Sequence, residues 1–417
     1  MEYRPSQFVC AARWWWHLIL VAATTLRVAA QAPLTGLGAY DQFRTPPPPL
    51  AQNPAWTEPW FSSFRASFGV EANDNINLSQ SNREADIILR PTGGAQLGYA
   101  FTEDNRLSLD LSAGYAEYLS HPSNNTFVIN SEGVTGLNFN FHVSRTLVNL
   151  HDRLTLEQDP VNETEVTGNA EYRRFVNASG FSIEPESERF KITAGYDHIL
   201  ELYDAALANQ DRSIESVSSQ FGLLVGEAAV YGLVLSGAYI GSTPGANDGG
   251  FTYDVAVRAS DQLSEYISYT ANAGFGSAQF GGSTIPADSD RVQSFIGSLT
   301  LKHRANKWVT QSLRAGTDIV PSVLSNYRKE IYVTHLATLS FVENLAISSQ
   351  LSYINSVSSA LSQADRINQY LIGANVSLQL AQKLELRLNY RYTIENSSLP
   401  GAGYNQNQLL LVLTKRF

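Results

Sequence analysis

From Trp60 to the end of the chain, the sequence alternates apolar and polar residues with a period of two. In LSLDLSAGYAEYL, the side chains of Leu107 and Leu109 fall on one face of an extended strand, and those of Ser108 and Asp110 fall on the other. The segments QYLIGANVSLQL and LELRLNYRYTI repeat the pattern. Each segment predicts a β-strand with one apolar and one polar face, and no apolar run in this region is long enough for a membrane helix.

The connections between the predicted strands alternate between short and long. The short ones are TEDN, SRT, EPES, GEAA, SDQLS, RANK, VEN and AQK, and the long ones include EANDNINLSQSNREA, SHPSNNTFVINS, EQDPVNETEVTG, GSTPGANDGG, GSAQFGGSTIPADSD and NSSLPGAGYNQNQ. This order is typical of an outer-membrane barrel, whereas a sandwich built from Greek keys does not impose it. We therefore predict an all-β fold: a single transmembrane antiparallel up-and-down β-barrel of about 18 strands, or about 16, over residues 60–417, with short periplasmic turns and long extracellular loops.

The composition agrees with this class of fold. Hydrophobic residues make up 43% of the chain and charged residues only 16%, and there are 20 Tyr and 19 Phe, which favour strands. The formal net charge of −10 argues against nucleic acid as a partner. The single cysteine, Cys10, lies in a segment that we expect to be removed, so the mature chain is predicted to have neither a disulfide nor a thiol nucleophile.

The N-terminal region reads as an export signal followed by a linker. Arg4 and Arg13 give residues 1–30 a positive start, the apolar run WWWHLILVAATTL follows, and small residues (VAA) precede Gln31. An uncleaved anchor helix is the alternative, but the run is shorter than a membrane span requires. Residues 31–59, with TPPPPLAQNPAW, predict an extended periplasmic linker because prolines cannot join a strand ladder.

The chain ends on an aromatic ring after an alternating strand. Leu409, Leu411 and Leu413 share a face with the terminal Phe417, and we predict that this face meets lipid at the inner membrane boundary. Bacterial outer-membrane proteins commonly end in this way, and the barrel assembly machinery reads the terminal aromatic residue. Lys415 departs from the apolar pattern, although a lysine near the interface can extend its ammonium group to water. An even number of strands places both chain ends in the periplasm.

The polar faces predict the residues that line the lumen. A barrel of this size encloses water, so charged side chains can stay hydrated and shape the field that a solute meets. The predicted inward residues are Arg65, Asp86, Arg90, Gln96, Asp110, Asn138, Asn140, His142, Arg153, Lys191, Asp197, Glu201, Lys302, Glu385, Arg387 and Arg391. Candidates for a constriction are Arg65, Asp86, Arg90, Asp110, Arg153, Glu385, Arg387 and Arg391. The alternative is that these charges only pair with each other and keep the lumen wet.

Little in the sequence points to catalysis. His142 and Ser144 lie two residues apart and are weakly similar to the His-x-Ser arrangement of outer-membrane phospholipases, but an orienting third group and the flanking motif are missing. His198 lies on an otherwise apolar face, which indicates an interface residue or a local error in the predicted register. The histidines form no H-E-x-x-H motif, and no glycine-rich phosphate loop is present. We predict no enzyme activity, no cofactor and no metal.

The first two predicted strands resemble a known family. In FGVEANDNINLSQSNREADIILRPTGGAQLGYAF, the run Asp74, Asn75 and Ile76 follows a first strand, and Asp86 opens a second strand that contains Pro91. This arrangement is similar to the β-barrel porin 2 family of Gram-negative outer membranes. The resemblance implies an outer-membrane pore or an export barrel, in some members associated with exopolysaccharide assembly, and it implies no catalytic residues.

These observations leave three hypotheses of function. The first is an outer-membrane channel, either a porin-like passive diffusion pore or the exit pore for an exported polysaccharide. The second is the same barrel with a plugged lumen, acting as a structural or surface-adhesion protein. The third is an outer-membrane hydrolase that uses His142 and Ser144. The expected partners are outer-membrane lipid and lipopolysaccharide, the barrel assembly machinery, and small hydrophilic solutes or polysaccharide.

Overall fold

The computed structural model describes residues 59–129, 135–158, 165–167, 173–204, 210–226, 228–242, 249–281, 290–342, 344–359 and 365–417. The predicted signal peptide and nearly all of the predicted linker lie outside these ranges, so both stay predictions. Within the described ranges, no helix has the length and apolar character needed to cross a membrane.

Strands account for almost all of the regular structure, apart from a short 3-10 turn at Pro122–Asn124. The strands are β1 (Trp60–Asn73), β2 (Asp86–Ala100), β3 (Arg106–Tyr118), β4 (Thr126–Ile129), β5 (Thr135–Val143), β6 (Thr146–Glu157), β7 (Arg174–Pro185), β8 (Phe190–Tyr203), β9 (Arg212–Val225), β10 (Ala229–Ser242), β11 (Gly250–Gln262), β12 (Ile267–Phe280), β13 (Arg291–Arg304), β14 (Val309–Pro321), β15 (Tyr327–Val342), β16 (Leu345–Ser358), β17 (Arg366–Ala381), β18 (Leu384–Ser397) and β19 (Tyr404–Arg416).

These strands form one closed antiparallel sheet. Neighbours in sequence are neighbours in the sheet, and β1 pairs with both β2 and β19, which closes the barrel. The short β4 and the following β5 both lie between β3 and β6 and share one position in the wall. The 19 strands therefore occupy 18 positions, since two of them share one. The predicted all-β antiparallel barrel is confirmed.

The two faces of the wall differ in chemistry as the alternation predicts. On β1, Trp60, Phe64 and Phe68 are 69%, 52% and 50% exposed, whereas Ser67 and Glu71 on the opposite face are buried. Directly paired residues share a face, so the register carries this assignment around the barrel. The apolar set faces outward and the polar set faces the lumen, the reverse of a water-soluble protein and the pattern expected for a barrel in lipid.

The two ends of the barrel also differ. The first strand begins and the last strand ends at the same end, where the backbone N–H of Phe417 donates to the carbonyl of Phe64 at 2.8 Å. We call this the turn end, because tight connections such as Ser144–Arg145 lie there. The opposite, loop end carries the longer connections. Some of these are shorter than predicted, because β12 continues to Phe280 and β19 already begins at Tyr404.

Candidate functional site: the lumen and its inner hairpin

All of the predicted lumen residues lie on the inward face of their strands. The register places Arg65, Asp86, Arg90, Gln96, Asp110, Asn138, Asn140, His142, Arg153, Lys191, Asp197, Glu201, Lys302, Glu385, Arg387 and Arg391 there. The alternation of polar and apolar residues predicted these inward positions because every strand of a closed barrel has one face toward the lumen. Whether these residues act on a solute stays a prediction.

The predicted constriction residues do not form one ring. Arg65 pairs with Asp110 at 3.1 Å, and Glu385 pairs with Arg387 at 3.1 Å and with Arg416 at 3.0 Å. The Arg65 side chain reaches β3 by crossing β2 at Gly94, where a Cβ atom would lie 2.5 Å from Arg65 Nε. These groups neutralise each other locally, as the alternative interpretation expects.

The remaining constriction candidates differ from one another in their surroundings. The fully buried carboxylate of Asp86 accepts hydrogen bonds from the backbone of Ser120 and His121 and contacts the His121 ring at 2.8 Å, so it holds a loop. Arg90 pairs with Glu71 at 2.7 Å. Two other inward arginines complete the set: Arg153 is exposed to the lumen, and Arg391 lies on β18 opposite Gln408.

A hairpin that was not predicted from the sequence narrows the lumen. β13 pairs with β12 as far as Arg291, but its pairing with β14 stops at Gly297 and Thr317. β14 nevertheless stays paired with β15 up to Pro321 and Tyr327. The end of β14 therefore leaves the wall and enters the barrel. We call residues 318–330 the inner hairpin.

One side of the inner hairpin packs against the inner wall. Ile319 joins a buried apolar cluster with Ile214 of β9 and Ile240 of β10, and the Tyr327 ring stacks on Phe280 with centroids 6.0 Å apart. The cluster also contains Ile199, Ala278 and Val292. Because these residues come from the lumen faces of the wall strands, the hairpin lies inside the barrel and covers them.

The tip of the hairpin reaches the far strands β8 and β9. The guanidinium of Arg212 donates to the carbonyl of Ser322 at 2.8 Å and pairs with Glu201 at 2.5 Å. Val323 packs with Tyr203 of β8 and Val166, a described residue of the β6–β7 connection. These contacts hold the tip at the loop end of the lumen.

The other side of the hairpin is also covered. Val320 is 0% exposed, Arg328 pairs with Glu330 at 2.6 Å, and both partners are buried. Arg328 lies close enough to Glu395 of β18 to interact with it electrostatically. Since both faces of the hairpin are buried, it fills part of the lumen near the loop end.

Below the hairpin, three inward cations form no direct ion pair with a carboxylate among the described residues, although Arg314 interacts electrostatically with Asp318. Arg258 is 8% exposed and forms no hydrogen bond or ion pair with them. Arg314 lies over the Tyr332 ring at 5.6 Å, and Lys302 projects from β13. Of the three, only Lys302 was predicted from the sequence. In β11, Val255 and Val257 face outward, so the same alternation places Arg258 on the inward face. The sequence therefore contained the signal for Arg258.

Arg258 stands at one end of a row of inward polar residues. It lies directly opposite Asn272 of β12, whose amide nitrogen donates to Ser298 of β13 at 3.0 Å. The row continues through Gly316 to Tyr332. The buried Oδ1 of Asn272 has no hydrogen-bond partner. This stretch of wall therefore presents donors and acceptors that the described residues leave unused.

The C-terminal strand has the predicted orientation. Leu409, Leu411 and Leu413 face outward and are exposed, and Phe417 is exposed at the turn end. Lys415 lies on the same outward face, opposite Ala66. The proposed reading of this segment by an assembly machinery stays a prediction.

We expect Phe417→Ala to lower the amount of folded barrel in the membrane, because it removes the exposed terminal ring that continues the outward face. The measurement is the fraction of chain that shifts in apparent mass on heating before electrophoresis. Phe417→Tyr, which keeps the ring, is the matched control and should fold as well as the wild type. Equal folded fractions for Phe417→Ala and the wild type would contradict the predicted role of the Phe417 ring in assembly of the barrel.

His198 lies on the outward face, as the register of β8 indicates. It stands directly opposite Glu215 of β9, with 2.7 Å between Nδ1 of the ring and the carboxylate, and the Tyr196 hydroxyl donates to the same carboxylate at 2.5 Å. The predicted register is therefore right, and the histidine is polar because it has a cross-strand partner.

The structure does not assemble a hydrolase site from His142 and Ser144. Ser144 occupies the tight turn after β5 with a left-handed φ of 57°, and no hydrogen bond joins its hydroxyl to the His142 ring. His142 faces the lumen and lies 3.9 Å from Glu186. Among the described residues, no group of three histidine, cysteine or acidic side chains is arranged to hold a metal ion.

Comparison with known proteins supports the fold. No family model and no curated protein matches the chain. Among solved structures, Pseudomonas aeruginosa OpdK with vanillate matches with a TM-score of 0.51 and 9% identity, over 85% of this chain and 99% of that chain. OccK2 (OpdF) of the same organism, in complex with glucuronate, matches with a TM-score of 0.51 and 12% identity, over 86% and 98%. P. aeruginosa OpdQ matches with a TM-score of 0.50 and 8% identity, over 86% and 100%.

At these identities the likeness concerns the fold alone. OpdK is described as an outer membrane protein, so the shared architecture is that of an outer-membrane barrel. The comparisons do not extend to the β-barrel porin 2 family, and the resemblance of the first two strands to that family stays a prediction.

Proposed function

We propose that the chain is an outer-membrane channel for the passive diffusion of small hydrophilic solutes. The observation that carries the proposal is a closed barrel with an apolar outward face, a charged inward face and a hairpin that narrows the lumen. In this assignment the turn end is periplasmic and the loop end is extracellular. The barrel assembly machinery, outer-membrane lipid and lipopolysaccharide are the partners that such a location implies.

We further propose a preference for anionic solutes. Arg258, Arg314 and Lys302 face inward below the hairpin, and Arg258 and Lys302 have no carboxylate partner among the described residues. The ligands named with two of the similar structures, vanillate and glucuronate, are both carboxylates. An unpaired guanidinium is suited to bind a carboxylate because its planar N–H groups match the two oxygens.

The test is single-channel recording of the purified protein in a planar bilayer, with the reversal potential measured under a salt gradient. Stable conductance steps are expected. The variant Arg258→Gln/Lys302→Gln should shift the reversal potential toward cation preference, because it removes lumen cations that no carboxylate balances. Lys415→Gln removes an outward positive charge and is the matched control. A shift of the same size in Lys415→Gln would contradict the role of the lumen cations.

One observation favours a second candidate function, a closed barrel that serves surface contact. Val320 and Val323 of the inner hairpin are almost fully buried, so the hairpin is packed on both sides. A folded protein that inserts into the bilayer and passes no current would support this candidate. The exit of an exported polysaccharide stays a prediction, and it would require the hairpin to leave the lumen.

A further inference from the structure

Next to the inner hairpin, one strand edge of the wall lacks a ladder among the described residues. Residues 292–296 of β13 pair with β12 on one side, but their other side has no ladder to β14. Phe295 in this stretch is 54% exposed on the outward face and packs edge-on against Phe275. An open edge inside a membrane wall is costly, because its backbone groups find no hydrogen-bond partner in lipid.

The sequence of β14 is compatible with that edge. Continuing the register beyond Gly297 and Thr317 places Ile319 opposite Phe295 and Val320 opposite Ser294. Ile319 would then face outward beside an exposed ring, and Val320 would face the lumen. The extension ends at Pro321, which has no N–H to donate. The alternation of β14 is thus compatible with two positions of its end: the docked position inside the lumen, which the structure shows, and a position in the wall beside β13.

The fork between the two strands is built from small residues. Gly316 lies directly opposite Ser298, one pair below the point where the ladder stops, and a Cβ atom on Gly316 would lie 2.5 Å from the carbonyl oxygen of Gly297. The absence of side chains at Gly297 and Gly316 lets the strands approach closely and lets the end of β14 change direction there. Because β15 stays paired with β16 up to Arg328 and Ser358, and β16 stays paired with β17 up to Val357 and Arg366, the end of β14 moves together with the ends of these strands.

The docked position has both favourable and unfavourable contacts. Ile319 packs in the apolar cluster, and Arg212 holds the carbonyl of Ser322. Against these, Asp318 stands directly opposite Glu330 on the paired strands β14 and β15, and its carboxyl group also interacts electrostatically with Asp254 and with the oppositely charged Arg314. Like charges at close range destabilise an arrangement that keeps them out of bulk water.

We infer that the inner hairpin is a gate with two positions: docked in the lumen, as seen here, or drawn into the wall by extension of the β13–β14 ladder through Ile319 and Val320. In the second position, β14 would form hydrogen bonds with the open edge of β13, and the hairpin would no longer occupy the loop end of the lumen. The inference rests on the proposed function only for its consequence, a larger pore. The change of pairing can be measured whether or not the barrel conducts.

The test uses an engineered disulfide, Ser294→Cys/Val320→Cys, in the full-length protein in membranes. The sequence has one cysteine, Cys10, in the predicted signal peptide, so Cys10→Ser is included in every variant. Leu299→Cys/Ala315→Cys, at an existing outward pair of the same ladder, is the positive control. The two single-cysteine variants exclude cross-links between chains. We expect the test pair to form a disulfide within about tenfold of the control rate, since paired strands hold their Cα atoms within disulfide reach.

A second readout shows whether the cross-link moves the hairpin. Ser322, Val323 and Ser325 of the tip are buried, so their peptide should be protected from hydrogen–deuterium exchange in the reduced protein. After oxidation, exchange of this peptide should accelerate at least tenfold because the tip has left β8 and β9. A disulfide that fails to form while the control forms, or one that forms and leaves the tip protected, overturns the inference.

Conductance then separates the gate from the channel proposal. If the cross-link forms and the tip is released, a several-fold rise in conductance on oxidation, reversed by reductant, supports both. A released tip in a barrel that passes no current supports the gate and contradicts the channel.

Discussion

Excision of the inner hairpin should raise the single-channel conductance several-fold. The variant replaces residues 319–329 with Asn-Gly, a two-residue turn that closes β14 and β15 at the existing pair Asp318 and Glu330. Both faces of the hairpin are buried and one packs against the inner wall, so its removal widens the lumen near the loop end. The measurement is conductance in a planar bilayer at fixed salt, on protein that still shows heat-dependent mobility.

The matched control shortens an exposed connection at the loop end. Deletion of Pro400 and Gly401, both exposed in the β18–β19 connection, should leave the conductance unchanged. A hairpin deletion that folds and conducts like the wild type would show that the narrowest point lies elsewhere, for example among the paired charges near Arg65 and Asp110. A hairpin deletion that conducts where the wild type does not would favour the closed barrel as the resting form.

The inward and outward faces of the wall could be predicted from the sequence because each strand of a barrel pairs with its neighbours. Each pairing step preserves the face, so the alternation in a few segments, such as Leu107 against Ser108, fixes the orientation of their neighbours as well. The order of short and long connections added the topology. The same reasoning placed Arg65, Lys191 and Glu385 on the lumen face without any knowledge of their contacts.

The inner hairpin was not predictable in the same way, because its position depends on contacts with strands far away in sequence. A local signal was present: TDIVPSVLSN carries Ile319, Val320, Val323 and Leu324 in close succession, with Pro321 among them. Apolar residues on both faces of a strand indicate burial on both sides, which a membrane wall with a wet lumen does not provide. The break in alternation therefore marks a segment that leaves the wall, although not where it docks.

Local ion pairs could not be predicted from the alternation either. The alternation predicts which face of a strand a side chain lies on, but it does not predict the partner of that side chain. Asp86 was predicted as a lumen charge, and it is inward, but its carboxylate is fully buried against the backbone of Ser120 and His121. The burial of this carboxylate depends on the conformation of the loop that contains Ser120 and His121. Loop conformations do not follow the two-residue alternation of the strands. Such residues contribute to the stability of the loop end, whereas Arg258 and Lys302 form no ion pair with the described residues.

Replacement of Glu201 by Ala should cause the largest loss of stability of any single change in the lumen. The Glu201 and Arg212 side chains are 5% and 6% exposed, and Arg174 also acts electrostatically on Glu201. Removing the carboxylate leaves two buried guanidinium groups without it, and breaking a buried ion pair in this way costs about 3–5 kcal/mol. The measurement is the midpoint of denaturant unfolding in lipid vesicles, followed by the change in electrophoretic mobility.

Glu184→Ala is the matched control for this loss of stability. Glu184 pairs with Lys191 at 3.0 Å on the same inward wall, but the two side chains are 43% and 30% exposed. Water replaces the lost partner at such a site, so the change in unfolding free energy should be about 0–1 kcal/mol. Because Arg212 also holds the carbonyl of Ser322, Glu201→Ala should in addition increase exchange of the hairpin tip below the unfolding transition. Equal destabilisation by the two variants would mean that water reaches Glu201 as freely as Glu184, and that the hairpin does not seal this end of the lumen.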